Sequence, residues 1–122
     1  MALSVKVQTS DMLAALEAAI QKEKDRVAKV RADWPKTFEE QRKKAIKKFQ
    51  EAQPNQVTEF RITPPDEVTN SRYDDPAHDI YGWRKLSSIV KLRDMVAAET
   101  RTELVITSSN ELAAYLGHIP KK

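Results

Sequence analysis

A cluster of side chains that could bind a divalent ion lies between residues 74 and 79. It contains the carboxylates of Asp74, Asp75 and Asp79 and the imidazole of His78. Carboxylate oxygens and imidazole nitrogens are common metal ligands in proteins. Asp75 is followed by proline, however, a pair typical of a helix N-cap, and the helix dipole favours acidic side chains at that end. We therefore interpret the cluster as a helix start and predict no metal site.

Catalytic chemistry has little support elsewhere in the chain. The sequence contains no cysteine, which excludes thiolate catalysis and disulfides. Its two glycines, Gly82 and Gly117, do not form a phosphate-binding loop or flank a nucleophilic serine. A pair of carboxylates that meets only in the folded chain is the one hydrolytic arrangement left open. We predict a protein that is not an enzyme, without catalytic residues or cofactor, and infer no small-molecule substrate.

A basic helix face is the best candidate for nucleic-acid binding. Residues 36–51 carry six lysines and arginines against three glutamates. At about 100° per residue, the lysines lie opposite an apolar arc, and phosphate binding requires such a face. Glutamates at positions 39, 40 and 51 could instead form ordinary ion pairs with lysines one helical turn away. The residues of this alternative function are Lys36, Lys43, Lys44, Lys47 and Lys48.

The main candidate for partner binding is an apolar seam between residues 13 and 34. Its positions advance by three or four residues, which predicts a heptad stripe on one helix face, interrupted only at Glu23. A stripe of this kind needs a helical neighbour, either from the same chain or from a second copy, and a buried Glu23 needs a basic partner. The predicted partner-binding residues are Leu13, Leu16, Ile20, Val27, Val30 and Trp34.

Two helices are predicted to carry the seam and the basic face. The first follows the cap residues 9–11 and is interrupted at Trp34-Pro35, because proline disfavours helical geometry in the residue before it. Thr37 and Glu40 form a capping box, which predicts a second helix to about Ala52. We expect an antiparallel helical hairpin that turns at residues 33–37. A single kinked helix of about 60 Å is the alternative.

The remaining elements are short. Alternating apolar and polar residues predict strands at residues 3–7, 57–62 and 103–107, the last with Leu104 and Ile106 on one face. A capping box of Ser108 and Glu111 predicts a short final helix, with Gly117 just beyond its end.

A third long helix is predicted from Pro76 to about Ala98, with Gly82 as a kink. Arg93 falls within its apolar arc, which suggests either a position at the rim of the core or a buried ion pair with Asp79 or Glu59. The apolar arc contains Trp83, Leu86, Ile89, Val90, Leu92 and Val96.

Together these elements predict a single helix-dominated α+β domain over residues 1–122. A helical stalk formed by residues 10–52 would stand on a small body formed by residues 1–8 and 57–122, with about three short strands and two further helices. No stretch approaches the ~20 apolar residues of a membrane span, and the N-terminus lacks the apolar segment of a signal peptide. We expect a cytoplasmic protein without a membrane partner.

The last third of the chain resembles a group of small proteins. The resemblance lies in an apolar helix followed by a strand at 102–107 and a capped helix at 108–116. This order is similar to the C-terminal segments of uncharacterised tailed-bacteriophage proteins. These proteins share no known activity, so the resemblance assigns no site residues. It implies a bacterial host cytoplasm or a virion and a role in binding.

From these features we predict a non-catalytic protein–protein interaction or assembly protein. It would act by self-association as a homo-oligomer, or by binding a host or virion protein. A nucleic-acid-binding accessory protein that uses the basic helix face is the alternative. Mass measurements and gel-shift assays at several salt concentrations separate the two.

Overall fold

The computed structural model describes residues 4–119 of the chain. The predicted class is confirmed, because the chain forms a helix-dominated α+β fold with a small two-stranded sheet. Two short 3-10 helices, Pro76–His78 and Glu111–His118, accompany the main elements. These are β1 (Ser4–Gln8), α1 (Thr9–Glu51), α2 (Asp66–Thr69), α3 (Lys85–Ala97) and β2 (Glu103–Thr107).

α1 is one continuous helix of 43 residues, with Pro35 inside it. At ~1.5 Å per residue it is about 65 Å long, so the expected hairpin is wrong and the single-helix alternative is correct. Proline removes one backbone hydrogen bond from the helix. The Thr37 hydroxyl donates to the carbonyl of Asp33 at 3.3 Å, in the preceding turn of α1. Thr37 therefore does not act as the cap of a new helix.

Contacts on both sides of Pro35 hold the long helix in place. The Arg31 side chain donates to the carbonyls of Glu67 at 2.7 Å and Asn70 at 3.2 Å. Farther along α1, the ammonium of Lys48 donates to the carbonyl of Glu59. The chain therefore runs back along the distal part of α1 after residue 52, and these tertiary contacts outweigh the local preference of proline for a break.

Within residues 4–119, the sheet contains two strands and not the three that were predicted. β1 pairs antiparallel with β2, with Val5 opposite Ile106 and Val7 opposite Leu104. The prediction for β2 is confirmed, including burial of Leu104 and Ile106. Leu3, which we placed on the buried face of β1, lies outside the described residues.

The predicted strand at residues 57–62 does not form. Thr58, Phe60 and Ile62 are nevertheless half-buried, and the residues between them are exposed. The alternating pattern is therefore real, but the Lys48 contacts with Glu59 and with the Phe60 ring place this extended segment along α1, not beside a strand.

The core lies between the first half of α1, α3, β2 and the C-terminal 3-10 helix. The seam is thus covered by elements of the same chain, but the covering helix is α3 and not the second half of α1. The buried apolar residues of the core are Met12, Ala15, Leu16, Ala19, Ile20, Val27, Leu86, Ile89, Leu92, Val96, Leu104, Ile106 and Leu112.

The helix predicted from residue 76 begins nine residues later. Asp75 acts as the expected cap, because its Oδ1 accepts from the backbone N–H of Ala77 at 3.0 Å, but the capped element is a single 3-10 turn. Gly82 then adopts a φ of 66°, which ends any helical continuation. Trp83 is exposed, so its predicted core position is wrong.

The C-terminal helix also differs at both ends from the prediction. Asn110, not Ser108, caps it, with Oδ1 accepting from the backbone N–H of Leu112 at 2.9 Å. Gly117 lies inside the 3-10 helix and not beyond its end. Among residues 4–119, no helix combines the length and the apolarity needed to cross a membrane.

Candidate functional site

Three large apolar side chains are exposed next to one another in the segment before α3, at residues 80–83, here called the aromatic loop. Ile80 is 89% exposed, Tyr81 72% and Trp83 82%. The rings of Tyr81 and Trp83 stack, with centroids 4.7 Å apart and planes inclined by 24°. Contiguous exposed apolar surface of this kind marks interaction sites in many proteins.

A carboxylate holds the backbone of the aromatic loop. Asp79 Oδ1 accepts from the backbone N–H of Gly82 at 3.0 Å. Its Oδ2 accepts from the backbone N–H of Arg84 at 2.8 Å and from the Ser87 hydroxyl at 2.6 Å. These donors, above all the Ser87 hydroxyl, hold the pKa of Asp79 below its ordinary value. Asp79 thus joins the loop to the first turn of α3.

Glycine is required at the centre of the aromatic loop. The φ of 66° at Gly82 is strained for residues with a side chain. A Cβ added there would also lie 2.8 Å from the ammonium nitrogen of Lys91. This lysine of α3 therefore lies against the loop and places a positive charge beside Gly82.

Arg84, which follows the aromatic loop, is fixed to the segment before the loop. The Arg84 guanidinium lies over the Tyr73 ring, 4.8 Å from its centroid, and donates to the Tyr73 carbonyl at 3.2 Å. The base of the aromatic loop is therefore held by Asp79 and Arg84, whereas its three large side chains extend into solvent. Such a rigid display lowers the entropy lost when a partner binds.

A second, less exposed apolar surface lies on the distal part of α1. Phe38, Ile46 and Phe49 are between 39% and 51% exposed. Arg42 lies among them on the same side of the helix and pairs with Glu39 at 3.8 Å. Because these rings are only partly uncovered and are mixed with charge, the aromatic loop is the stronger candidate.

The predicted partner-binding residues are divided between the core and its edge. Leu16, Ile20 and Val27 are buried against elements of the same chain. A partner therefore has no access to these three residues in this fold, because the apolar arc of α3 packs on the face where a second copy would have to bind. The half-buried members are Leu13, Val30 and Trp34.

The five lysines of the alternative function are exposed on α1, as the helical pattern predicted. Lys47 pairs with Glu51 at 4.0 Å, and Lys48 contacts the carbonyl of Glu59. Within residues 4–119, the other three, Lys36, Lys43 and Lys44, form no ion pair. The structure thus keeps a basic helix face accessible.

The side chains of the acidic cluster at 74–79 contact protein groups, and His78 Nε2 lies 3.6 Å from Asp75 Oδ2 within the cluster. Asp74 pairs with Arg31 at 3.3 Å, Asp75 caps the 3-10 turn, and Asp79 holds the aromatic loop. His78 contacts Arg72 through Nε2. In the part of the chain that the structure describes, no three acidic or histidine side chains are arranged to hold a metal ion.

Two charged residues near the core have the environments expected for them. Glu23 is buried within the seam and pairs with Arg26 at 2.6 Å, the basic partner that the sequence required. Arg93 lies at the rim, half-buried, and pairs with Asp94 at 3.1 Å and Glu17 at 4.0 Å. Neither predicted partner of a buried Arg93 pairs with it in residues 4–119: the Asp79 carboxylate accepts from Ser87, and Glu59 forms no ion pair.

Sequence reasoning missed the aromatic loop because Pro76 and the apolar spacing after it favoured a helix. A signal was present: Asp79 stands three residues before Gly82, and both residue types are typical of turns. Comparison of the chain with models of protein families, with curated proteins and with solved structures finds no match.

Proposed function

We propose that this protein is a non-catalytic association protein that forms homo-oligomers through its aromatic loop. The observation that carries the proposal is the exposure of Ile80, Tyr81 and Trp83 on a backbone fixed by Asp79. Trp and Tyr are the residue types that most often dominate binding energy at protein interfaces. A loop that is ordered before binding also avoids much of the ordering cost.

The size of the loop surface sets the expected strength of association. Aromatic side chains each bury about 150–250 Å² at an interface. Three large side chains at these exposures offer roughly 500 Å² per copy, or about 1,000 Å² in a contact of two copies. This lies at the low end for specific complexes, so we expect a weak and reversible oligomer.

A second copy fits this surface because a two-fold contact buries the same patch on both molecules. Lys91 lies beside the loop, where its ammonium can face an aromatic ring of the other copy. Such cation–π contacts contribute about 0.5–2 kcal/mol. In this contact, the apolar surfaces of the two copies face each other, and the Lys91 ammonium gains an aromatic ring as its partner.

Sedimentation velocity over a wide concentration range tests the proposal. We expect the mean sedimentation coefficient of the wild-type protein to rise with concentration, and that of Trp83→Ser to stay at the monomer value. Val57→Ser is the matched control, because Val57 is also 89% exposed but lies outside the loop. A wild-type protein that remains monomeric, or a Trp83→Ser variant that associates normally, would refute the proposal.

Nucleic-acid binding is the second candidate function. It is favoured by one observation, the accessible face with Lys36, Lys43 and Lys44 outside any ion pair in the described chain. Gel shifts with DNA and RNA at several salt concentrations test it, with Lys43→Glu/Lys44→Glu as the variant. Binding must weaken steeply with salt and with the variant. No shift at low salt eliminates this candidate.

The bacteriophage resemblance and the cytoplasmic location stay predictions. If the protein acts in a phage-infected cell, a host or virion protein could bind the same aromatic loop in place of a second copy. Loss of that contact in Trp83→Ser, with retention in Val57→Ser, would be expected for such a complex too.

A further inference from the structure

The interruption of the seam at Glu23 coincides with a cavity of about 170 Å³. The cavity lies where α1, α3 and the C-terminal 3-10 helix meet, away from the residues of the aromatic loop. An engineered cavity of about 150 Å³ is large enough for benzene. The space therefore suits a molecule of about six to nine non-hydrogen atoms.

The side chains that line this cavity differ between its inner end and its mouth. Ala19, Glu23 and Ile89 are buried and form its inner end. Lys22 and Lys85 also line it but are exposed, which places them at its mouth. A carboxylate therefore lies deep in the cavity beside apolar side chains, and the two lysines lie at its exposed side. Arg26, Tyr115 and His118 complete the lining.

The deep carboxylate is only partly engaged by protein groups. The Glu23 side chain is 93% buried, since 7% of it is exposed. Arg26 donates to it twice, from Nε at 3.0 Å and from Nη2 at 2.6 Å, and both bonds end on Oε1. Among residues 4–119, no group donates a hydrogen bond to the other oxygen, Oε2. Arg26 itself also contacts Glu67, at 3.5 Å.

The mouth of the cavity offers the opposite charge. Among residues 4–119, neither Lys22 nor Lys85 forms an ion pair. A ligand with a single charge would form charge-assisted hydrogen bonds at only one end of the cavity. A ligand with an ammonium at one end and a carboxylate at the other matches both.

From this arrangement we infer that the cavity is a binding site for a small zwitterion of the size of an α-amino acid. The ligand's ammonium donates to Glu23 Oε2, and its carboxylate accepts from Lys22 and Lys85. Its aliphatic part packs on Ala19 and Ile89. The site is independent of the aromatic loop, so the inference does not rest on self-association.

Three probes that share one aliphatic group test the inference on the full chain. L-Valine carries both charges, 3-methylbutanoate lacks the ammonium, and 2-methylpropylamine lacks the carboxylate. We expect L-valine to cause saturable amide shifts at residues 19–26 and 85–89 in ¹H–¹⁵N spectra. Each single-charge probe should bind about ten-fold or more weakly, because each loses a charge-assisted hydrogen bond.

Variants at the two ends of the cavity assign each contact. Glu23→Gln should weaken L-valine about ten-fold or more and should not weaken 3-methylbutanoate, because it also frees Arg26, a cation in the cavity lining. Lys85→Met, at an exposed position, should weaken L-valine and 3-methylbutanoate and leave 2-methylpropylamine unchanged. Glu17→Gln and Lys24→Met are controls from α1, and neither residue lines the cavity. Both controls should bind L-valine as the wild type does.

The inference is overturned if L-valine causes no saturable shift up to about 10 mM, a level that nearly saturates a site with a Kd of 1 mM. It is also overturned if 3-methylbutanoate binds as tightly as L-valine, or if Lys85→Met binds all three probes normally. The Lys85→Met variant keeps the test decisive if Glu23→Gln disturbs the fold, because Lys85 is not part of the core.

Discussion

The seam of α1 and the aromatic loop contain similar large apolar side chains but place them in opposite environments. Leu16 and Ile20 are at most 5% exposed, whereas Ile80 and Trp83 are more than 80% exposed. In the seam, residues three or four apart form one helix face that packs against α3 and the C-terminal 3-10 helix. In the loop, the Asp79 hydrogen bonds and the φ of Gly82 fix the backbone, so the side chains do not follow a helical period. Backbone conformation, and not residue type, separates core from surface here.

The largest expected effect concerns the stability that each region provides. Leu16→Ala removes a fully buried side chain and should lower the free energy of unfolding by about 2–5 kcal/mol. Ile80→Ala should change it by less than about 0.5 kcal/mol, because the side chain is in solvent. Urea denaturation of dilute protein measures both. Similar losses in the two variants would contradict the assignment of core and surface.

The next effect concerns the fixed backbone of the aromatic loop. Asp79→Ala removes the acceptor for the Gly82 and Arg84 amides and for the Ser87 hydroxyl. We expect faster hydrogen exchange at the Gly82 and Arg84 amides and weaker self-association, with the core amides of α1 little changed. Asp79→Asn, which keeps one carbonyl acceptor, should be intermediate. Unchanged exchange in Asp79→Ala would show that the carboxylate does not hold the loop.

A smaller effect is expected from pH. The pKa of Asp79 is lowered in the folded protein, chiefly by the Ser87 hydroxyl. The unfolded carboxyl, with a pKa of about 3.9, is therefore protonated first as the pH falls. The stability contributed by Asp79 is complete well above this pH and is lost as the pH falls through the unfolded and then the folded pKa.

The comparison with Asp79→Asn isolates this pH effect. Glu99 acts in the same direction, because hydrogen bonds from Arg101 lower its pKa to about 2, but it is present in both proteins. The difference in unfolding free energy between wild type and variant should be constant above about pH 5 and shrink below about pH 4. A difference that grows on acidification would contradict the lowered pKa.

The smallest effect concerns the rim of α3, between the buried seam and the exposed loop. Arg93→Glu places a third negative charge beside Glu17 and Asp94 and should cost about 1 kcal/mol of stability. Lys91→Glu, also on α3, should cost less than about 0.5 kcal/mol, because Lys91 is exposed. Thermal unfolding measures both. Equal melting temperatures of the two variants would contradict a contribution of the Arg93 ion pairs to stability.

The features that the sequence predicted correctly are those set by near neighbours or by a single pattern. The alternation in β2 identified Leu104 and Ile106 as buried, and Asp75 before Pro76 identified a cap. The lysines of α1 were placed on an exposed face by helical geometry alone. Each of these depends on residues within one or two turns.

The features that were missed depend on contacts between distant parts of the chain. The helix continues through Pro35 while Arg31 binds carbonyls more than 35 residues away. The seam predicted that a neighbour was needed, but its period does not distinguish α3 from a second copy. Trp83 was assigned to the core because its spacing fits a helix that starts at Pro76. The helix begins instead at Lys85, and the Ser87 hydroxyl in its first turn donates to Asp79. Sequence periodicity contains no information on these choices.

The fluorescence of Trp83 tests the central claim most directly. In Trp34→Phe it is the only tryptophan, and the change at position 34 is conservative and half-buried. We predict solvent-like emission at low concentration and a shift to shorter wavelength as the protein associates. Emission that is already at short wavelength in the dilute monomer, or that does not change with concentration, would contradict an exposed loop that binds a second copy.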